Sequence, residues 1–469
     1  MKTLVLSLMF ILLISSIGFS QAKPGGIARQ IALGGSMEGT SLVMNPFIID
    51  DPTWMYINPA YQAKYKDYGL ANIAGADGYG YQNSALSIGL NDTWNAGLIL
   101  SYDPSYVSKI SPLIANIQRR GFGMAQYVPP IADAMEAVVS TRCNQITWGF
   151  GLMYGWSGND GSGTLSHNGA AVHDSTNEVS GRVFGLRAGM QYDMGNNSIL
   201  DFAAAIRLDK AHDKYTNVPP DTAIFNPVAG YTGEYNATAT ELQFNARWIN
   251  KVNNKFTFTP YGELALWSSQ PTEDTPPSVE PGATLTPATL NSYKLSYLHY
   301  ALGIGGEYRT QSILLVGGVS YQYTNYKTEL TTTTTTLSTA STIETPVKQF
   351  PVLNIGGEWA ITDWLAGRMG YYRSIMTSSY KYSYNKASIP PGTTDDYVGE
   401  QNSITAGSYV GIGGYGADQL VTMGVGLKFG GLAVDATVSE SALRSALGLI
   451  GNSSLPTFGY MTASYYFGD

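Results

Sequence analysis

The sequence predicts an all-β chain, a closed antiparallel transmembrane β-barrel, on three observations. Apolar and polar residues alternate over long stretches such as 146–157, 184–193 and 241–248, the period-two signature of a strand with two unlike faces. These stretches outrun the roughly 5–6 residues of an average strand. Charged residues make up only 13%, about half the usual quarter, yet mean hydropathy is −0.07. Charge has therefore given way to Gly, Tyr, Ser, Thr and Asn rather than to a greasy core. Short turns also alternate with long polar loops, the pattern of a membrane barrel with one plain end and one elaborated end.

Composition removes other classes. The chain holds 53 Gly and 33 Tyr in 469 residues, more Gly and Tyr than a helical bundle carries. Aromatics at 12% argue against disorder. Beyond Phe19 no apolar run reaches the roughly 20 residues of a spanning helix. Met1-Lys2, the apolar run Leu4 to Phe19 and the small residues Ser20 and Ala22 read as a signal peptide over 1–22, so the exported chain would begin at Lys23. Cys143 is the only cysteine, which excludes a disulfide scaffold. A formal charge of −8 disfavours nucleic acid as a partner.

Taken in order, about sixteen strands lie near 68–78, 80–91, 94–102, 133–142, 146–157, 178–193, 197–209, 237–250, 255–269, 291–309, 311–327, 347–360, 363–380, 417–429, 431–441 and 455–467. Fourteen remain if 68–91 belongs to the segment before the barrel. Strands 94–102 and 146–157 both leave the short-turn side, so 133–142 must return between them. Asn144, Asn196-Asn197, Asn253-Asn254, Thr310-Gln311, Thr362-Asp363 and Gly430-Gly431 mark the short turns. The long loops fall at 158–177, 209–236, 270–290, 328–346, 381–416 and 442–454.

Parity assigns the faces. Phe184, Leu186, Leu242, Phe244, Trp148 and Trp156 point to lipid, with large aromatics such as Tyr192 and Trp248 at the ends of the apolar face. Arg187, Asp201, Arg207, Glu241, Arg247, Glu263 and Arg368 point into the lumen as substrate-facing candidates, with Glu136, Arg142, Glu307, Arg309, Glu358, Lys428 and Asp435 beside them. Both signs occur, fitting a structural network or a selectivity pathway. On this reading Arg at lipid-facing Phe244 costs roughly 2–4 kcal/mol, while Arg at lumen-facing Gln243 is nearly silent. An open sheet edge is not viable in lipid, so the last strand should pair with the first. The alternation Met461, Ala463, Tyr465, Phe467 resembles the C-terminal insertion signal of bacterial outer-membrane proteins, which implies the barrel-insertion machinery as a partner.

Residues 23–67 precede the barrel of 68–469. Asn58 can cap a short helix that Pro59 begins, and an irregular segment at membrane depth must be buried in protein or line a cavity. The order Gly34-Gly35, Asp50-Asp51-Pro52, Asn58-Pro59-Ala60 resembles the N-terminal motif of the FadL-type and PorV-type bacterial outer-membrane barrels. The resemblance implies a plug or hatch inside the barrel. Arg29, Asp50 and Asp51 are then expected to pair with lumen charges such as Glu241, Arg247, Arg187 or Asp201.

Residues 104–124 offer a second feature. Tyr106, Ile110, Leu113, Ile114 and Ile117 follow helical spacing, with Pro112 dividing the stretch into two short helices in an extracellular loop. No Ser, His and orienting residue are spaced as a hydrolase would need. His167, His173 and His212 fall in expected loops and His299 on the lumen face. No catalytic site, metal site or cofactor is expected. The resulting reading is an outer-membrane channel, in a Gram-negative-type envelope, for passive uptake of small molecules, hydrophobic ones by the resemblance. The alternative is a non-transporting envelope or secretion component that holds a protein partner through its loops.

Overall fold

In a computed structural model of the protein the described residues are 25–38, 41–74, 83–100, 134–167, 170–218, 231–275, 289–334, 337–388, 395–405, 419–438 and 458–468. The signal peptide, the expected helices of 104–124 and the loop 442–454 lie outside them.

The barrel strands are β1 Tyr68–Ala74, β2 Asn83–Gly89, β3 Trp94–Leu100, β4 Met135–Cys143, β5 Ile146–His167, β6 Ala170–Gly195, β7 Ser198–Val218 and β8 Tyr231–Lys251. They continue with β9 Phe256–Ser269, β10 Thr289–Arg309, β11 Ile313–Thr334, β12 Leu337–Ala360, β13 Leu365–Ser388, β14 Gln419–Phe429, β15 Leu432–Val438 and β16 Phe458–Tyr466. Thr272–Thr275 prolongs β9 between the same neighbours. Asp395–Thr405 pairs with the upper part of β13, and β14 with its lower part. The sheet is thus a closed barrel of sixteen antiparallel staves, sealed where Tyr465 faces Gly69 and Met461 faces Ile73. Closure leaves no edge at membrane depth.

The face assignment holds. On β10, Leu302 is 61% and Ile304 54% exposed, while inward Ala301 and His299 are buried. Outward residues from Leu298 to Tyr308 rise about 26 Å on a strand tilted roughly 40°, matching an apolar band of about 25 Å. Trp94, Trp148, Trp248, Trp359 and Trp364 are exposed at the short-turn margin. Tyr154 and Trp156 pack at 5.6 Å, and Tyr300 and Tyr323 at 5.2 Å, at the other margin.

Strand length departs from the sequence reading. Much of the expected loops 158–177, 209–236, 328–346 and 381–416 is paired strand within β5–β8 and β10–β13 and in Asp395–Thr405. His167, His173 and His212 accordingly sit in strands. These extensions are polar on both faces because both meet water, so hydropathy alternation stops while pairing goes on. Thr-rich stretches such as Thr331–Thr334 still favour the pleated conformation. Bulges displace the register at Ser320/Gln322 and at Gln349/Val352. Pro351, which has no N–H to donate to a ladder, falls in the second.

The described residues of the N-terminal segment, 25–38 and 41–67, pack within the barrel through one helix and two turns. They form helix α1 Ile27–Ala32, a small hairpin of Ser36–Glu38 with Ser41–Val43, and two 3-10 turns, Pro52–Tyr56 and Pro59–Ala63. Every residue of α1 is buried, which is possible for so short a helix only because the barrel wall surrounds it.

Candidate functional site

The site is the junction of the N-terminal segment with the lumen wall. Two like devices shape the segment. Asp51 accepts the Thr53 N–H at 3.0 Å, with Pro52 opening the first 3-10 turn. Asn58 accepts the Ala60 N–H at 2.9 Å, with Pro59 opening the second. In each, the side chain satisfies a donor that the turn would orphan, and proline occupies a position needing no N–H. Asp51 also accepts the Gly26 N–H at 3.1 Å and so ties α1 to the first turn.

Two wall arginines grip this segment directly, and a third does so through wall carboxylates. Arg187 forks onto Glu136, with both nitrogens at 2.7 Å, and donates to the carbonyls of Met55 and Tyr56. Arg247 donates to Asp201 at 3.0 Å and to the carbonyls of Pro46 and Ile48 at 3.3 and 3.2 Å. Its guanidinium carbon lies 3.4 Å from the centre of the Trp54 ring. Arg368 joins Glu358 and Asp435, each at 2.6 Å, and Asp435 accepts the Gly25 N–H at 3.0 Å. A buried guanidinium needs both a carboxylate and partners for its remaining N–H groups. For Arg187 and Arg247 the segment's backbone supplies much of the second requirement.

The expected charge pairs are corrected. Arg29 does not reach Glu241 or Asp201; it bonds Asp51 at 3.0 Å and Glu358 at 2.9 Å. Asp51 meets neither Arg187 nor Arg247. Asp50, half exposed, pairs with Lys64 at 3.1 Å and accepts the Tyr65 hydroxyl at 2.7 Å. Partial burial pushes the Asp50 carboxyl up, but Lys64 and Tyr65 outweigh it and hold it low, at about 2. The wall arginines were already engaged by Glu136, Asp201 and Asp435, carboxylates whose cross-strand register parity does not reveal. Asn58 donates to Asp201, and Asp201 also accepts the Tyr61 hydroxyl at 2.9 Å.

Three candidates, Arg207, Glu241 and Glu263, stand apart from these grips. Arg207 pairs within the wall, to Asp209 at 3.0 Å and Glu241 at 3.1 Å. Glu263 lies 3.9 Å from His299, whose Nδ1 is 2.9 Å from the Thr324 hydroxyl. Arg142 and Arg309 have lumen parity but are exposed at the short-turn end. Gln243, expected to tolerate Arg, is buried and lines a cavity of about 60 Å³ with Trp54, Tyr56, Asn58, Arg247 and Glu263. A second guanidinium beside Arg247 would be costly there, so that expectation is reversed.

Neutral wall groups were missed. Thr462 accepts the Ala28 N–H at 3.2 Å, Asn72 accepts the Ile27 N–H at 3.2 Å, Thr422 donates to Ile31 O at 2.8 Å and Asn354 donates to Gly34 O at 2.7 Å. Their signal was present as inward parity on short-chain polar residues. Lumen glycines mark the same contact: a Cβ at Gly149 would overlap the backbone of Pro59 and Ala60, and one at Gly189 the side chain of Asn58.

Beyond the segment, the inner wall mixes an apolar patch with charge: Arg207, Asp209 and Glu241 are buried at the same level, Val183 lying opposite Asp209 and Trp267 opposite Glu241. Val183, Ala211, Ala237, Ala265, Trp267 and Tyr297 are buried there, and Tyr297 packs on Tyr326 at 4.8 Å. Among the described residues no group of three His, Cys, Asp or Glu could hold a metal ion.

No family model and no curated protein matches the chain. Among solved structures it resembles the Pseudomonas putida toluene transporter TodX, at 9% identity and TM-score 0.34, over 95% of this chain and 99% of that one. The closed form of the ferric-catecholate import receptor Fiu from E. coli aligns at 10% identity and TM-score 0.30, over 79% and 70%. The siderophore receptor PiuA from Acinetobacter baumannii aligns at 9% and 0.30, over 79% and 71%. At these identities and scores the likeness extends to neither residues nor ligands.

Proposed function

We propose that this chain is an outer-membrane channel of the FadL-type kind, in a Gram-negative-type envelope, that admits small, largely apolar molecules passively past an N-terminal plug. Residues 1–22 would direct export and be removed. The observation that carries the reading is the apolar inner patch of Val183, Ala237, Ala265, Trp267 and Tyr297 beyond the plug. The charges on that level, Arg207, Asp209 and Glu241, pair with one another, which leaves the apolar side chains to meet the cargo. Arg187, Arg247 and Arg368 hold the plug in place, while Arg207, Glu241 and Glu263 face the cargo path. The test is uptake by cells whose outer membrane carries this barrel as the added channel. Faster entry of an aromatic hydrocarbon than in cells without it is the expected result. Entry at the background rate would end the channel reading.

A second reading has its own support. The polar extensions of β5–β13 continue paired beyond the apolar band, a tall external wall suited to a protein partner. Cross-linking in intact cells to one dominant protein, together with background hydrocarbon entry, would favour an envelope or secretion component.

A further inference from the structure

The Trp267 indole N–H is buried, with no hydrogen-bond partner among the described residues. Native proteins leave few buried donors unsatisfied, because stripping water from one costs about 1–3 kcal/mol. Indole is a donor only, so what satisfies it must bring an acceptor. Trp267 points inward beside Ala265, Tyr297, Ala239, Leu295 and Tyr326, an apolar and aromatic surround.

Resting on the channel reading above, we propose that Trp267 marks a cargo subsite for neutral, mostly apolar molecules bearing one carbonyl or ether oxygen. The oxygen accepts the indole N–H while the hydrocarbon body lies against Ala265 and Tyr297. Charge on the neighbouring strands argues for a neutral acceptor. Trp267 stands opposite Glu241 in the register, and Arg207 serves both Glu241 and Asp209. Two carboxylates against one guanidinium repel an anion, so a carboxylate cargo is disfavoured relative to a ketone.

The test compares entry of acetophenone, cumene and benzoate into cells carrying the wild-type barrel, Trp267→Phe or Trp267→His. Unboiled-gel mobility checks that each variant is folded. Trp267→Phe keeps the ring and removes the donor. It should slow acetophenone about five-fold, the value of one hydrogen bond, and slow cumene much less. Trp267→His restores a ring N–H and should recover part of the difference. An equal fall for acetophenone and cumene would make Trp267 a packing residue, and no fall for either would remove it from the path. Benzoate entering as fast as acetophenone would overturn the neutral-cargo claim. Background entry of all three in the wild type would instead fell the channel reading itself.

Discussion

Arg247 of the barrel wall lies flat on Trp54 of the N-terminal segment, with the guanidinium carbon 3.4 Å from the ring centre. The same side chain is bound to Asp201 and to two backbone carbonyls of the segment. One residue therefore couples the wall to what fills it through charge, hydrogen bonding and stacking on an aromatic face.

Arg247→Ala should both loosen the segment and strand Asp201 in a buried site. Removing one member of a buried ion pair costs about 3–5 kcal/mol. The measurement is the temperature at which the unboiled gel form is lost, which should fall. Arg247→Ala combined with Asp201→Asn should recover part of the loss, since no lone charge is then buried. A double variant as unstable as the single one would locate the cost in the Trp54 stack instead.

Gly189 faces the Asn58 side chain with no room for a Cβ. Gly189→Leu should leave the barrel heat-modifiable yet dislodge the turn at Pro59–Ala63, raising single-channel conductance and exposing segment 51–66 to protease. Gly262→Ala, whose added carbon would sit 3.3 Å from Leu302 on the outward face, should do neither.

Depth on the outer face can be measured along a single strand. Leu302 and Ser292 both face outward on β10, the first within the apolar band and the second above it. Leu302→Arg should destabilise the barrel by about 2–4 kcal/mol, and Ser292→Arg by close to zero. Chemical denaturation in lipid vesicles reads both. Equal effects would misplace the band.

Deleting residues 23–60 removes every backbone partner of Arg187 and Arg247 described above. Conductance in planar bilayers should rise, and Tm of the unboiled form should drop. Unchanged conductance would mean that the segment does not close the lumen.

These residues also show what the sequence could convey. Side-chain direction was legible because alternation at Phe184, Leu186 and Leu242 reports lipid on one face, and it correctly turned Arg187, Asp201 and Arg247 inward. Partners were not legible. Arg187 meets Glu136 two strands away, and a pairing of that kind depends on register and tilt rather than on spacing along the chain. Strand ends above the membrane were invisible for a related reason: where water touches both faces, as in 328–334, hydropathy carries no period. A segment inside the barrel was expected from the order ending in Asn58-Pro59-Ala60, but its contacts are written in Gly149 and Gly189, residues whose information is the absence of a side chain.

Thr462 lies on the final strand, the one that seals the barrel against Tyr68–Ala74. Its hydroxyl oxygen takes the Ala28 N–H and donates to Asn72 on the first strand. The strand that closes the barrel therefore fastens the first strand and helix α1 at one seam. A barrel opened between Phe458–Tyr466 and Tyr68–Ala74 would lose the seal and this latch together. Closing the wall and anchoring the segment inside it thus share one side chain, so neither contact can be lost without weakening the other.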